Sequence, residues 1–120
     1  MKRKRDTILQ ALENFRDLHP GLTLTHVVVL LYVAENEGVT LSELASVCRM
    51  SLATASRAAR ALTGADEPDS LPPHTPLLHV RPNPANSNGR VVRLSSQGRA
   101  LVAELDALIT SPVPIRLQAA

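Results

Sequence analysis

Residues 40–62 constrain this chain most, because they encode two short helices with room for only a tight turn between them. Thr40-Leu41-Ser42-Glu43 reads as a capping box. In that motif the Thr hydroxyl accepts from the backbone N–H three residues on, and the Glu reaches back to the Thr N–H. The helix it opens runs through Leu44, Ala45 and Val47 to about Cys48. Ser51 then caps a second helix that reaches Leu62, with Thr63-Gly64 as its stop. Helix, three-residue turn and helix make a helix-turn-helix, an arrangement whose second helix can enter a DNA groove.

The flanks supply what such a motif needs around it. Ile8, Leu9, Leu12 and Phe15 recur at helical spacing over residues 6–18, and His19-Pro20-Gly21 ends that helix. Thr23 or Thr25 can cap the next helix, which extends to about Glu37 and is closed by Gly38. Its apolar run over residues 27–34 is hydrophobic nearly all round, as expected of a central buried helix. Residues 65–76 hold Pro68, Pro72, Pro73 and Pro76 and read as a surface loop. Two short strands follow within residues 77–94, around a tip where Asn88-Gly89 would supply the turn. Ser95 or Ser96 caps a last helix over 96–110, striped by Leu101, Val102, Leu105, Leu108 and Ile109 and ended by Pro112 and Pro114.

The second helix of the motif carries the candidate chemistry. At about 100° per residue, Leu52, Ala55, Ala59 and Leu62 share one face, which should be the buried one. Ala53, Thr54, Ser56, Arg57, Arg60 and Ala61 fall on the opposite arc. That arc has small residues, hydroxyls and two Arg, and no acid. A helix so composed fits the roughly 12 Å major groove, where Arg can bind guanine O6 and N7 bidentately. An ordinary solvated face would mix in Glu for i,i+4 pairs; an Ala-rich face can also be a packing surface. The formal net charge of +2 conceals the same polarity. Between Glu43 and Glu104 the acids are Asp66, Glu67 and Asp69, against Arg49, Arg57, Arg60, Arg81, Arg90, Arg93 and Arg99.

Other function classes find little support. Aromatics are 2% of the chain, Phe15 and Tyr32, too few for the stacking platforms of single-strand binders. One cysteine, Cys48, allows no internal disulfide and no multi-thiolate zinc site, and it reads as a small buried hydrophobe before it reads as an oxidation sensor. His74 and His79 lack companion ligands, so no metal and no cofactor is expected. There is no Gly-rich phosphate loop, nucleophile elbow or acid/base pair, and Glu35 and Glu37 at a helix end should simply be solvated; an enzyme is not expected. The longest apolar run is eight residues against the roughly 20 of a membrane span, and no signal peptide is apparent, so a cytoplasmic protein is expected.

Three stretches together resemble the MarR-type winged-helix transcriptional regulators. They are Leu22-Thr23 with the helix that follows, Thr40 to Ala45, and Ser51 to Leu62; Leu94-Ser95-Ser96-Gln97-Gly98-Arg99-Ala100-Leu101 resembles the family's Leu-Thr-x-x-Gly start of the post-wing helix. The resemblance covers residues 6–110 apart from the loop. It implies a mainly α (α+β) fold in a single domain over 1–120: a helix-turn-helix, a two-stranded β wing and terminal dimerisation helices. It also implies a prokaryotic, nucleoid-associated regulator of transcription, a repressor before an activator, working as a homodimer on double-stranded DNA. Ser51, Thr54, Ser56, Arg57 and Arg60 would contact the major groove or its phosphates, and Arg90 the backbone or minor groove. A small organic ligand is a further partner the family suggests. The sequence departs from the family in the inserted loop 65–76, in having Asn86 and Asn88 where the wing usually has Asp-x-Arg, and in having one full C-terminal helix. The rival readings are a winged-helix replication or partition protein of a mobile element, and an adaptor that binds protein. The cluster from Lys2 to Arg5 would serve as a phosphate-tracking arm or a solubilising terminus.

Overall fold

The computed structural model describes residues 4–110. Lys2 and Arg3 of the basic cluster, and the helix stops Pro112 and Pro114, lie outside these residues. Five helices and three strands follow in the order α1 (Lys4–Leu18), α2 (Leu24–Glu35), β1 (Val39–Thr40), α3 (Leu41–Cys48), α4 (Leu52–Ala61), β2 (Leu78–Asn83), β3 (Asn86–Leu94) and α5 (Ser96–Thr110). Among the described residues no helix is long and apolar enough to cross a membrane.

The caps form where the local chemistry expects them. Thr23 caps α2 by accepting from the His26 N–H, and His26 Nδ1 accepts from the Thr23 N–H at 3.0 Å, so a histidine fills the place usually held by Glu or Gln. Thr40 and Glu43 form the expected box, at 3.1 and 3.0 Å. Arg49 ends α3 in the left-handed region at φ 58°, and the Met50 N–H returns to the Ala45 carbonyl at 3.0 Å. Ser51 caps α4 through the Thr54 N–H at 3.1 Å.

The expected two-stranded wing forms from β2 and β3, with one strand added to its sheet and one correction, to the turn. The sheet has three antiparallel strands in the order β1-β3-β2, because Val39 and Thr40 pair with Val92 and Val91. A two-residue strand abutting a capping box carries too little alternation to be seen locally. The hairpin turns at Pro84-Ala85 and not at Asn88-Gly89: Asn83 pairs with Asn86, and the ladder is irregular between Pro82 and Asn83. The Asn83 side chain closes that turn by accepting from the Ala85 N–H at 3.0 Å.

The core lies between α2 and the sheet, with Val29, Leu30 and Val33 of α2 packed against Leu44, Ala59, Leu62, Leu78 and Val92. α1 and α5 lie against each other and send Phe15, Leu101 and Leu105 into the same core. Glu37, expected to be solvated, instead accepts from the Leu94 N–H at 3.1 Å and from Arg99 at 2.9 Å, tying the end of β3 to α5.

Candidate nucleic-acid interface

The N-terminal half of α4 is the exposed half. Ser51, Leu52, Ala53 and Arg57 are exposed, Thr54 and Ser56 are half-buried, and Ala55, Ala58, Ala59 and Ala61 are buried. The helical-wheel division therefore fails at both ends. Leu52, expected in the core, is 53% exposed. Ala61, expected outside, is buried because the loop after α4 covers it, with the Leu71 N–H on the Ala61 carbonyl at 3.0 Å.

The exposed half of α4 borders an open groove of about 310 Å³ between the helix-turn-helix and the wing. Thr40, Ser42, Leu52, Ser56, Asn83 and Arg90 line it. It brings Ser56 of α4 and Arg90 of β3 to one surface. Thr40, Ser42, Leu52 and Asn83 were not among the expected site residues. Their signal was present only in three dimensions, in the way the hairpin tip folds back toward the start of α3.

Each expected residue has a definite state. The Ser51 hydroxyl both caps α4 and donates to Thr54 Oγ1 at 2.9 Å, so these two hydroxyls orient each other. Arg57 is exposed and has no ion pair with any described residue. Arg90 is half-buried and donates to the Gly89 carbonyl at 3.0 Å, which steadies its guanidinium at the groove. Arg93, the other cation of β3, lies over the turn at Gly38. Arg60 differs from the rest. Its Nε donates to Ser56 Oγ at 3.1 Å and its Nη1 lies 3.5 Å from Glu67 of the loop. The acid missing from the helix itself is thus supplied from seven residues away.

A second cavity, of about 190 Å³, lies where α1 meets α2. Phe15, Arg16, His19, Thr23 and Val27 are among its lining. His19 is fully buried, and neither ring nitrogen makes a hydrogen bond of normal geometry among the described residues. Burial pushes its pKa below the ordinary histidine range, with repulsion from His74 acting the same way. Burial likewise lowers His26, helped by His19. The Cys48 thiol, half-buried, is pushed up by burial, away from the thiolate that redox chemistry requires.

Comparison with known proteins agrees with this geometry. Residues 21–66, which hold α2, α3 and α4, match the sequence model of the MarR family. No curated protein matches the chain. Among solved structures, RV1404 of Mycobacterium tuberculosis superposes with a TM-score of 0.66 at 16% identity, covering 87% of this chain and 64% of its own. This chain therefore spans less than two thirds of that protein. MepR of S. aureus, solved in complex with DNA, gives 0.62 at 18% identity over 88% of this chain and 74% of its own. BpsR of Bordetella bronchiseptica gives 0.55 at 23% over 88% and 69%. Residues 21–66 resemble the MarR family in sequence, and the described chain has the winged helix-turn-helix fold of these solved structures.

Proposed function

We propose that this chain is a non-enzymatic, sequence-specific regulator of transcription that binds double-stranded DNA as a homodimer and acts as a repressor in the bacterial cytoplasm. The observation that carries the reading is the exposed, acid-free half of α4, with Arg57 in no ion pair among the described residues, beside a groove that ends at Arg90 of the wing. Arg57 is the base-reading cation; Ser51, Thr54 and Ser56 supply hydroxyls to bases or phosphates, and Arg90 meets the backbone where the wing crosses it. The fold is shared with MepR, which was solved on DNA.

The partner small molecule would occupy the cavity at α1–α2. DNA binding by BpsR, of the same fold, is regulated by 6-hydroxynicotinic acid. Here Arg16 offers a cation beside the apolar Phe15 and Val27, which suits a single-ring aromatic acid.

Selection of bound sequences from random duplex DNA tests the reading, with Arg57→Ala as the comparison. A pseudo-palindrome is expected, bound about 10- to 100-fold more weakly by the variant, since a good bidentate base contact contributes about 1–3 kcal/mol. An asymmetric repeat would point to a replication protein instead. No enriched sequence, with no steep dependence of affinity on salt, would point to a protein-binding adaptor.

A further inference from the structure

The loop between α4 and β2 is a built structure although it contains neither helix nor strand. The Glu67 N–H donates to the Gly64 carbonyl at 3.1 Å, Ser70 N–H to the Glu67 carbonyl at 3.0 Å, and His74 N–H to the Leu71 carbonyl at 2.8 Å. Buried Ser70 donates its hydroxyl to the Thr63 carbonyl at 2.7 Å and meets His74 Nδ1 at 3.1 Å. Thr63 in turn donates its hydroxyl to the Arg60 carbonyl at 2.5 Å. Leu71 N–H on the Ala61 carbonyl fastens the far side of the loop to the same helix. This scaffold fixes where Glu67 sits.

It sits against Arg60, on the arc of α4 that also bears Arg57. The two side chains are 25% and 27% exposed, so the pair is partly withdrawn from water. With Nε on Ser56 and Nη1 on Glu67, two of the three nitrogens of the guanidinium are already engaged. A phosphate approaching Arg60 would have to displace Glu67 or accept a carboxylate beside it, and like charges at that range repel.

Resting on the DNA-binding reading above, we infer that Glu67 is a specificity-determining residue: it occupies Arg60 in place of DNA phosphate and leaves Arg57 as the one free cation among the described residues of α4. The consequence is selectivity. Each phosphate neutralised adds affinity for any sequence, and hence raises non-specific binding as much as specific binding. Holding Arg60 inside the protein withholds that indiscriminate increment, so discrimination falls on Arg57 and its neighbours.

Glu67→Gln keeps the size and polarity of the side chain while removing its charge, and circular dichroism with thermal unfolding establishes that the variant folds. Binding is then measured across a salt series on the selected duplex and on a random duplex of equal length. The variant is expected to bind random duplex several-fold more tightly than the parent, to lose ratio between the two duplexes, and to steepen log affinity against log salt by roughly 0.9 for each Arg60 that gains a phosphate. Adding Arg60→Gln to Glu67→Gln is expected to abolish that steepening. An unchanged slope and ratio in Glu67→Gln overturns the inference while leaving the DNA-binding reading intact. Weaker binding by Glu67→Gln also overturns it, since Glu67 would then be presenting Arg60 to DNA. A parent chain that binds neither duplex overturns the reading and the inference together.

Discussion

His19 is fully buried with neither ring nitrogen partnered among the described residues, and seven residues on lies a second histidine, on which the α2 cap is built. His26 Nδ1 can accept from the Thr23 N–H only while it carries no proton, so protonation removes half of the α2 capping box. Burial lowers both pKa values in the folded chain, which means the unfolded chain takes up these protons first. The stability they protect is complete above the ordinary histidine value of about 6.5 and is lost as pH falls through it toward the lower folded values. The thermal midpoint is therefore expected to decline between pH 7 and pH 5. His19→Leu should shallow that decline without lowering the midpoint at pH 7, because it removes two buried polar atoms that the fold leaves unsatisfied. Parallel thermal melts of the two proteins across this range check it; identical pH slopes would mean that His19 titrates as it does in the unfolded chain.

The start of α5 shows how much an element depends on one backbone approach. Ser95 caps the helix through the Gly98 N–H at 2.9 Å and gives its own hydroxyl proton to the Pro76 carbonyl. The Ser95 N–H holds the Leu77 carbonyl at 2.9 Å, and that carbonyl occupies the space a Cβ on Gly98 would need. Gly to Ala within a helix ordinarily gains about 1 kcal/mol. At Gly98 the sign should reverse, with a net loss of about 2 kcal/mol, since neither backbone can yield without tearing the cap. Urea unfolding of Gly98→Ala measures it, and a gain in stability would show that the two elements part easily. Signals of this local kind are legible in the sequence: Thr40 and Ser51 each announce a helix, and the choices between Thr23 and Thr25 and between Ser95 and Ser96 bracket two more starts, at which the structure uses Thr23 and Ser95. What escaped was set by partners distant in the chain. β1 is a strand only because Val39 finds Val92, the hairpin turns at Pro84-Ala85 because register across the bulge outweighs the local Asn-Gly preference, and Ala61 is buried only because the loop returns over it. The same holds at the candidate interface. Arg57 could be singled out from its helix alone, whereas the state of Arg60 depends on Glu67, which no periodicity connects to it.

At the scale of the molecule, α1 and α5 do two things at once. Phe15, Leu101 and Leu105 complete the chain's own core, yet Ile8, Leu9 and Leu12 remain 59%, 54% and 46% exposed and Ile109 62%. Ile8, Leu9 and Leu12 recur at helical spacing on α1, and water penalises such an apolar face at about 25 cal/mol for each Å² left uncovered. A second copy offers the same face, and a two-fold axis through it lets each Leu12 region meet its counterpart. That pairing would set two α4 helices on one side of the dimer, and reading successive major grooves requires them about 34–36 Å apart. Dimerisation and sequence selection are then one property, because a lone α4 with one free Arg has too few contacts to hold a site. Leu9→Glu with Leu12→Glu places charge on the exposed side of α1 and spares Phe15, so the fold should survive. The doubly substituted chain is expected to sediment as a monomer where the parent sediments as a dimer, and to lose at least about 100-fold in affinity for a two-half-site duplex, while its weak affinity for a single half-site stays within a few-fold of the parent's. A parent that sediments as a monomer at micromolar concentration would remove the dimer, and with it the expectation of a palindromic site.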